Sequence, residues 1–82
     1  MSDELMARVI RVIAETQRIS PDTIRPESTF EELKIDSLDG INILFALENE
    51  FNINIPDDAA KQVRSIQELA EGVEKLSQTA SA

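Results

Sequence analysis

The sequence predicts an all-α fold, a bundle of three longer helices plus one short helix, with a long loop between helices one and two. Three observations predict it. Apolar residues recur at three- and four-residue steps in three separate segments. Residues that start and stop helices punctuate those segments. No segment with strand period is substantial enough to assign as a strand. The chain has 82 residues, enough for one small domain with a thin core. Residues 1–78 are expected to form that domain and residues 79–82 a frayed tail.

In the first helix, expected over residues 3–18, Leu5, Val9, Val12 and Ile13 share a face that Met6 and Ile10 widen. Asp3 and Glu4 lie in its first turn, where acids complement the helix dipole. Ser20-Pro21 stops the pattern. Residues 20–36 carry no sustained period and read as a loop, with Ile24, Phe30, Leu33 and Ile35 as apolar anchors. Phe30-Glu31-Glu32-Leu33 suits one helical turn. From Ser37 to Phe51 the helical signal is strongest, with Ile43, Leu47 and Phe51 four residues apart and Leu44 beside them. Pro56 ends the extended stretch that follows, and Asp57 or Asp58 caps a short helix through about Val63. Ser65 and Glu68 match a capping box, which opens a last helix bearing Ile66, Leu69, Val73 and Leu76. Residues 77–82 are small and polar and are expected to fray.

Composition narrows the chemistry. The chain has no cysteine and no histidine, which removes disulfides, thiolate metal sites and the commonest general base. Sixteen acids against eight bases give a net charge of −8. Such a surface disfavours nucleic acid and repels an anionic membrane, and it favours proteins with basic patches. A hydrophobic content of 41% is too high for a disordered acidic chain. The start MSDELMARVI has early acids and no long apolar stretch, so no secretory signal is expected there. A monomer in the cytoplasm is the expectation.

The acids are unevenly placed. Between Ile35 and Ala60 stand six (Asp36, Asp39, Glu48, Glu50, Asp57 and Asp58) and no Lys or Arg. Ser37 begins the helix inside this stretch. A serine there suits an N-cap, and Asp36 would cap equally well. A serine nucleophile would lack a histidine to activate it, and the carboxylates around it would oppose an oxyanion. The same position presents a hydroxyl well to an enzyme that modifies it.

Residues 30–58, FEELKIDSLDGINILFALENEFNINIPDD, resemble the acyl carrier proteins of fatty acid and polyketide synthesis. The resemblance rests on Phe30, Leu33, Asp36-Ser37-Leu38, Leu47-Glu48, Phe51 and Ile55-Pro56-Asp57, and the flanking helices extend it over essentially the whole chain. It implies that Ser37 carries 4′-phosphopantetheine as a phosphodiester, attached from coenzyme A by a holo-acyl-carrier synthase using Mg²⁺. It implies that the arm's thiol holds acyl groups as thioesters, and that the chain itself is no enzyme. Implied partners are that synthase, acyltransferases, ketosynthases or acyl-activating ligases with basic docking patches. They would meet Asp36, Asp39, Glu48 and Asp57, with Leu38 packed at the interface.

Helical steps place Leu38, Ile41 and Phe45 on a face apart from Ile43, Leu47 and Phe51. An outer apolar ridge rimmed by acids is expected to serve docking. The inner stripe, joined by Phe30, Ile55, Ala59 and Leu69, is expected to line an acyl-chain cavity, a reading that leans on the family because such residues form plain core in most bundles. Three departures from the usual carrier stand out. Lys34-Ile35 replaces Gly-Ala before the motif, Gly40 interrupts the helix at a cost of about 1 kcal/mol relative to alanine, and Asn42 replaces a recognition Glu. They predict a specialised carrier. Other carriers (aminoacyl, peptidyl or D-alanyl) are the alternative within the superfamily, although the Gly-Gly-x-Ser usual in peptidyl carriers is absent. An acidic helical adaptor or calcium-binding module is the alternative outside it. Asp36-Ser37-Leu38-Asp39-Gly40 lacks the ligand spacing of a calcium loop.

Overall fold

Asp3 and Glu4 lie in the first turn of α1 (Asp3–Gln17), and the helix buries Val9, Val12, Ile13 and Ala14 along one stripe. The computed structural model describes residues 3–80, with side chains through Ser77. After α1 come a single 3₁₀ turn at Pro21–Thr23, then α2 (Ser37–Phe51), α3 (Asp57–Gln62) and α4 (Ile66–Ala80). The first three sequence-derived boundaries agree to within a residue. The fourth helix runs past Ser77, where fraying was expected, because the capping residues at its start and the apolar stripe through Leu76 hold it. Residues 81 and 82 of the expected tail lie outside the described residues.

Three helical segments end on a residue in the left-handed region, and none of the three is glycine. They are Arg18 (φ 58°), Lys34 (φ 59°) and Asn52 (φ 54°). Each ending is closed by the N–H of the next residue reaching back five positions. Ile19 donates to the Ala14 carbonyl at 3.0 Å, Ile35 to Phe30 at 2.9 Å and Ile53 to Glu48 at 3.1 Å. These are Schellman-type closures, which satisfy carbonyls that a helix end leaves unpaired. Asparagine tolerates the left-handed region, whereas a lysine there pays about 1–2 kcal/mol against its Cβ. Lys34→Gly is therefore expected to raise stability by about 0.5–1 kcal/mol, after the added freedom of the unfolded chain is deducted, and Tm by about 2–8 °C. A lower Tm in thermal denaturation would refute the strain at Lys34.

The long first loop is ordered by its own bonds and by its seam with α4. Thr29 and Glu32 cap one another. The Glu32 N–H donates to Thr29 Oγ1 at 3.0 Å, and Thr29 returns its N–H and hydroxyl to Glu32 Oε1, each at 3.0 Å. This caps the turn at Phe30–Leu33 that the sequence suggested. Phe30 N–H then donates to Arg64 O at 3.1 Å, Ile66 N–H to Ser28 O at 2.9 Å and Gln67 N–H to Pro26 O at 2.8 Å. An isolated bridge pairs Thr29 with Ser65. Ser65 also caps α4, its Oγ accepting the Glu68 N–H at 3.2 Å.

The buried core joins Val9, Val12 and Ile13 of α1 to Ile43 and Leu47 of α2 and to Ile66, Leu69 and Val73 of α4, with Ile24 and Ile35 of the loop closing it. A polar clip fixes α1 against α2. Arg8 and Arg11 both reach Glu50 Oε2 at 3.0 Å, and the Arg8 guanidinium lies 4.5 Å from the centre of the Phe51 ring. Exposed pairs of this kind contribute at most about 1 kcal/mol each, so the clip sets register more than stability. The short helix α3 buries no residue. Its Ala59 and Ala60 are half-buried, and Ala60, a small side chain, lines a space it shares with residues of α2.

Candidate functional site

That unfilled space is a cleft of about 580 Å³ between α2 and α3. Its walls are largely apolar, formed by Phe30, Ile35, Ile43, Leu44, Val63 and Leu69 among others. Asp36, Ser37, Asp57 and Lys61 are its polar lining residues. A small satellite of about 20 Å³ behind it shares Ala60, Val63 and Leu69 and adds Ile55, Ala59 and Val73. An apolar group that enters such a cleft would exchange water for hydrocarbon contacts.

Ser37 lies at one end of this cleft. Asp36, and not Ser37, caps α2, with Asp36 Oδ1 accepting the Asp39 N–H at 2.8 Å. The physical reason is reach. The cap residue stands one position outside the helix with extended backbone (φ −85°, ψ −177°), so its side chain folds back onto the third helical N–H. Ser37 is thereby released from the capping duty that spacing alone allowed it. It is the first helical residue, it is exposed, and its hydroxyl has no hydrogen-bond partner among the described residues. An exposed, uncommitted hydroxyl beside an apolar cleft fits a covalently attached arm that must both swing outward and fold inward.

Not all the acids expected around Ser37 are available to a partner. Glu50 is held by the two arginines of α1. Glu48 is half-buried, and its Oε2 accepts the Ile55 N–H at 2.7 Å, which ties the α2–α3 connection to α2. Asp36, Asp57 and Asp58 are exposed and Asp39 is half-buried. The free negative charge therefore gathers at the Ser37 end of α2, while the Glu48 carboxylate is turned onto the Ile55 N–H.

Leu38, Ile41 and Phe45 are 71%, 47% and 60% exposed, an apolar ridge of the kind the two-stripe reading of α2 expected, except that Ile41 also lines the cleft. The inner stripe divides. Phe30, Ile43 and Leu69 line the cleft. Ile55 and Ala59 reach only the satellite. Leu47 is fully buried in the core, and Phe51 packs beneath Arg8, so neither lines either space. The cause is geometric. Successive residues of one stripe climb the helix by a turn each, and the α2 residues that line the cleft lie in its first two turns. Leu44, which the sequence set beside that stripe, lines the cleft too, as do Ile35, Ile41, Ala60 and Val63, which the stripe did not include. Ile35 was legible as an apolar anchor of the loop, while Ala60 and Val63 needed the packing of α3. Gly40 lines the cleft too, and a Cβ there would meet nothing within 4 Å, so its small size leaves open space beside Ser37.

Among the described residues no group of three or more acidic side chains could hold a metal ion. No described helix is long and apolar enough to cross a membrane.

Comparison with known proteins gives a consistent result. A family model described as a phosphopantetheine attachment site matches residues 7–73. The mitochondrial acyl carrier protein of Dictyostelium discoideum is 45% identical over 65 residues, covering 79% of this chain and 54% of that protein. The chain thus spans about half the length of that relative. The acyl carrier protein of Thermosynechococcus vestitus is 34% identical over 67 residues, covering 80% of this chain and 83% of its own. The crystal structure of an acyl carrier protein from Thermotoga maritima superposes with a TM-score of 0.83 at 28% identity, covering 94% of this chain and 91% of that one.

Proposed function

The chain belongs to the acyl carrier protein family, and we propose that Ser37 is the residue through which it carries a covalent 4′-phosphopantetheine arm. The observation that carries this reading is the exposed, unpartnered Ser37 hydroxyl at the edge of an apolar cleft. The arm supplies the thiol, absent from a chain without cysteine, on which acyl groups are held as thioesters.

The chain's own residues do the rest. Asp36 caps α2 and so fixes the direction in which Ser37 points. The cleft takes up the alkyl part of the cargo and shields it from water. Asp36, Asp39 and Asp57 steer basic partner surfaces toward Ser37, and the Leu38–Ile41–Phe45 ridge supplies the apolar contact once they meet. Glu48 acts from within, by holding the α2–α3 connection that frames the cleft. No residue of the chain is assigned a catalytic role, and the absence of histidine and cysteine supports that assignment. The partners are a holo-synthase and the acyl-transferring, condensing or acyl-activating enzymes of lipid or polyketide synthesis. Asn42 is exposed on the docking side of α2, where the usual carrier has a Glu, which supports a specialised set of partners. Residues 1–78 are read as one carrier domain acting as a monomer in the cytoplasm. A Dictyostelium relative named as mitochondrial makes an organelle the other outcome of cell fractionation.

The test is incubation with coenzyme A, Mg²⁺ and a holo-synthase, followed by intact mass and peptide mapping. A mass increase confined to the peptide containing Ser37 is expected, and an unmodified chain would refute the reading. Asp39→Asn addresses steering. It removes one docking charge and part of a favourable dipole interaction of about 0.3–1 kcal/mol. KM for loading is expected to rise a few-fold with kcat little changed. Unaltered kinetics would show that Asp39 is merely solvated.

A further inference from the structure

Lys61 is the only base among the residues that line the cleft, and it shares that lining with Ser37, Asp36 and Asp57. It breaks the pattern of its surroundings, since no Lys or Arg occurs between Ile35 and Ala60. Asp57 stands one helical turn before it on α3, at the spacing that favours an ion pair, yet no ion pair or hydrogen bond engages the Lys61 side chain among the described residues. Its ammonium is exposed and uncommitted.

We propose that Lys61 is the counter-ion of the phosphodiester that attachment creates on Ser37, and that it holds the base of the arm across the cleft mouth, against α3. The proposal rests on Ser37 being the attachment site. A phosphodiester adds one permanent negative charge beside Asp36 and Asp57, where only a cation can offset it. The cleft walls are largely apolar, so an anionic group settles beside the polar lining residues, of which the exposed Lys61 is the cation, and not among Ile43, Leu44 and Leu69. Charge-assisted bonds from lysine to phosphate oxygens are short and strong relative to neutral ones. An arm held in this way starts its path into the cleft, so Lys61 favours the sequestered state over the extended one.

The experiment compares apo and holo forms of the wild type, Lys61→Gln and Lys61→Arg, with intact mass taken first. Amide shifts of residues 57–63 and the ³¹P shift of the diester are then measured. Attachment is expected to perturb α3 and the ³¹P signal in the wild type. In Lys61→Gln the α3 perturbation falls at least about two-fold, and in Lys61→Arg it is retained, because a guanidinium also binds phosphate. Raising ionic strength is expected to weaken the wild-type effect toward that of Lys61→Gln. The Tm of the apo variants serves as control, since a lysine that only complements the C-terminal end of α3 would change apo stability and leave the holo perturbation intact. Full loading with equal perturbation in wild type and Lys61→Gln overturns the proposal and leaves the function standing. Failure of the wild type to load at Ser37 overturns both.

Discussion

Ser37→Ala is expected to fold as the wild type does and to gain no mass on incubation with coenzyme A and a holo-synthase. The two halves of this result have separate causes. The cap of α2 is supplied by Asp36, so removing the Ser37 hydroxyl costs no hydrogen bond among the described residues. Alanine has the best helix propensity, and the site is exposed, so Tm should move by no more than the equivalent of about 0.5 kcal/mol. Modification, by contrast, needs an oxygen at this position and is lost entirely. Circular dichroism checks the first half and intact mass the second. A variant that still gains the arm would remove Ser37 from the site. A variant that unfolds would show that Ser37, and not only Asp36, supports the start of α2.

Leu47→Ala is expected to have the largest effect on stability. Leu47 is 0% exposed and packs in the cluster that joins α1, α2 and α4. Truncating a leucine in such a place costs about 2–5 kcal/mol, through lost transfer energy and the cavity left behind. Small domains have only about 5–15 kcal/mol in all, so Tm should fall by at least about 8 °C. The same variant separates core from cleft. Leu47 lines neither the cleft nor its satellite, so cargo sequestration in the protein that remains folded should be unchanged. A near-wild-type Tm with altered cargo protection would restore Leu47 to the cleft, where the sequence pattern had placed it.

Much of the fold was legible because it is written in local terms. The apolar steps of α1, α2 and α4 follow from 3.6 residues per turn, and Ser65 with Glu68 announces the start of α4. The separation of Leu38 and Phe45 from Ile43 and Leu47 was equally local, and their exposures follow it, whereas Ile41 is exposed and lines the cleft as well. The left-handed helix ends were not legible. Glycine is the usual marker of such an end, but this chain places Arg18, Lys34 and Asn52 there and puts Gly40 and Gly72 inside helices. The order within the long loop was also hidden, because its bonds to Arg64, Ile66 and Gln67 span more than thirty positions of sequence.

The sequence alone determined that this chain is a small acidic helical bundle, that Asp36-Ser37-Leu38 opens its second helix, and that acids without nearby bases surround that point. Those properties depend on residue type and short spacing. Tertiary structure decided the division of labour among those residues. It gave the cap to Asp36 and left Ser37 free. It turned Glu48 inward onto Ile55 and Glu50 onto Arg8 and Arg11. It sent Leu47 to the core and set Ile35, Leu44 and Lys61 around the cleft. A periodicity tells which face of a helix a side chain occupies. Which neighbour stands opposite that face, and whether the neighbour fills the space or leaves it open, is set by the docking of a second element, here by the small residues of α3.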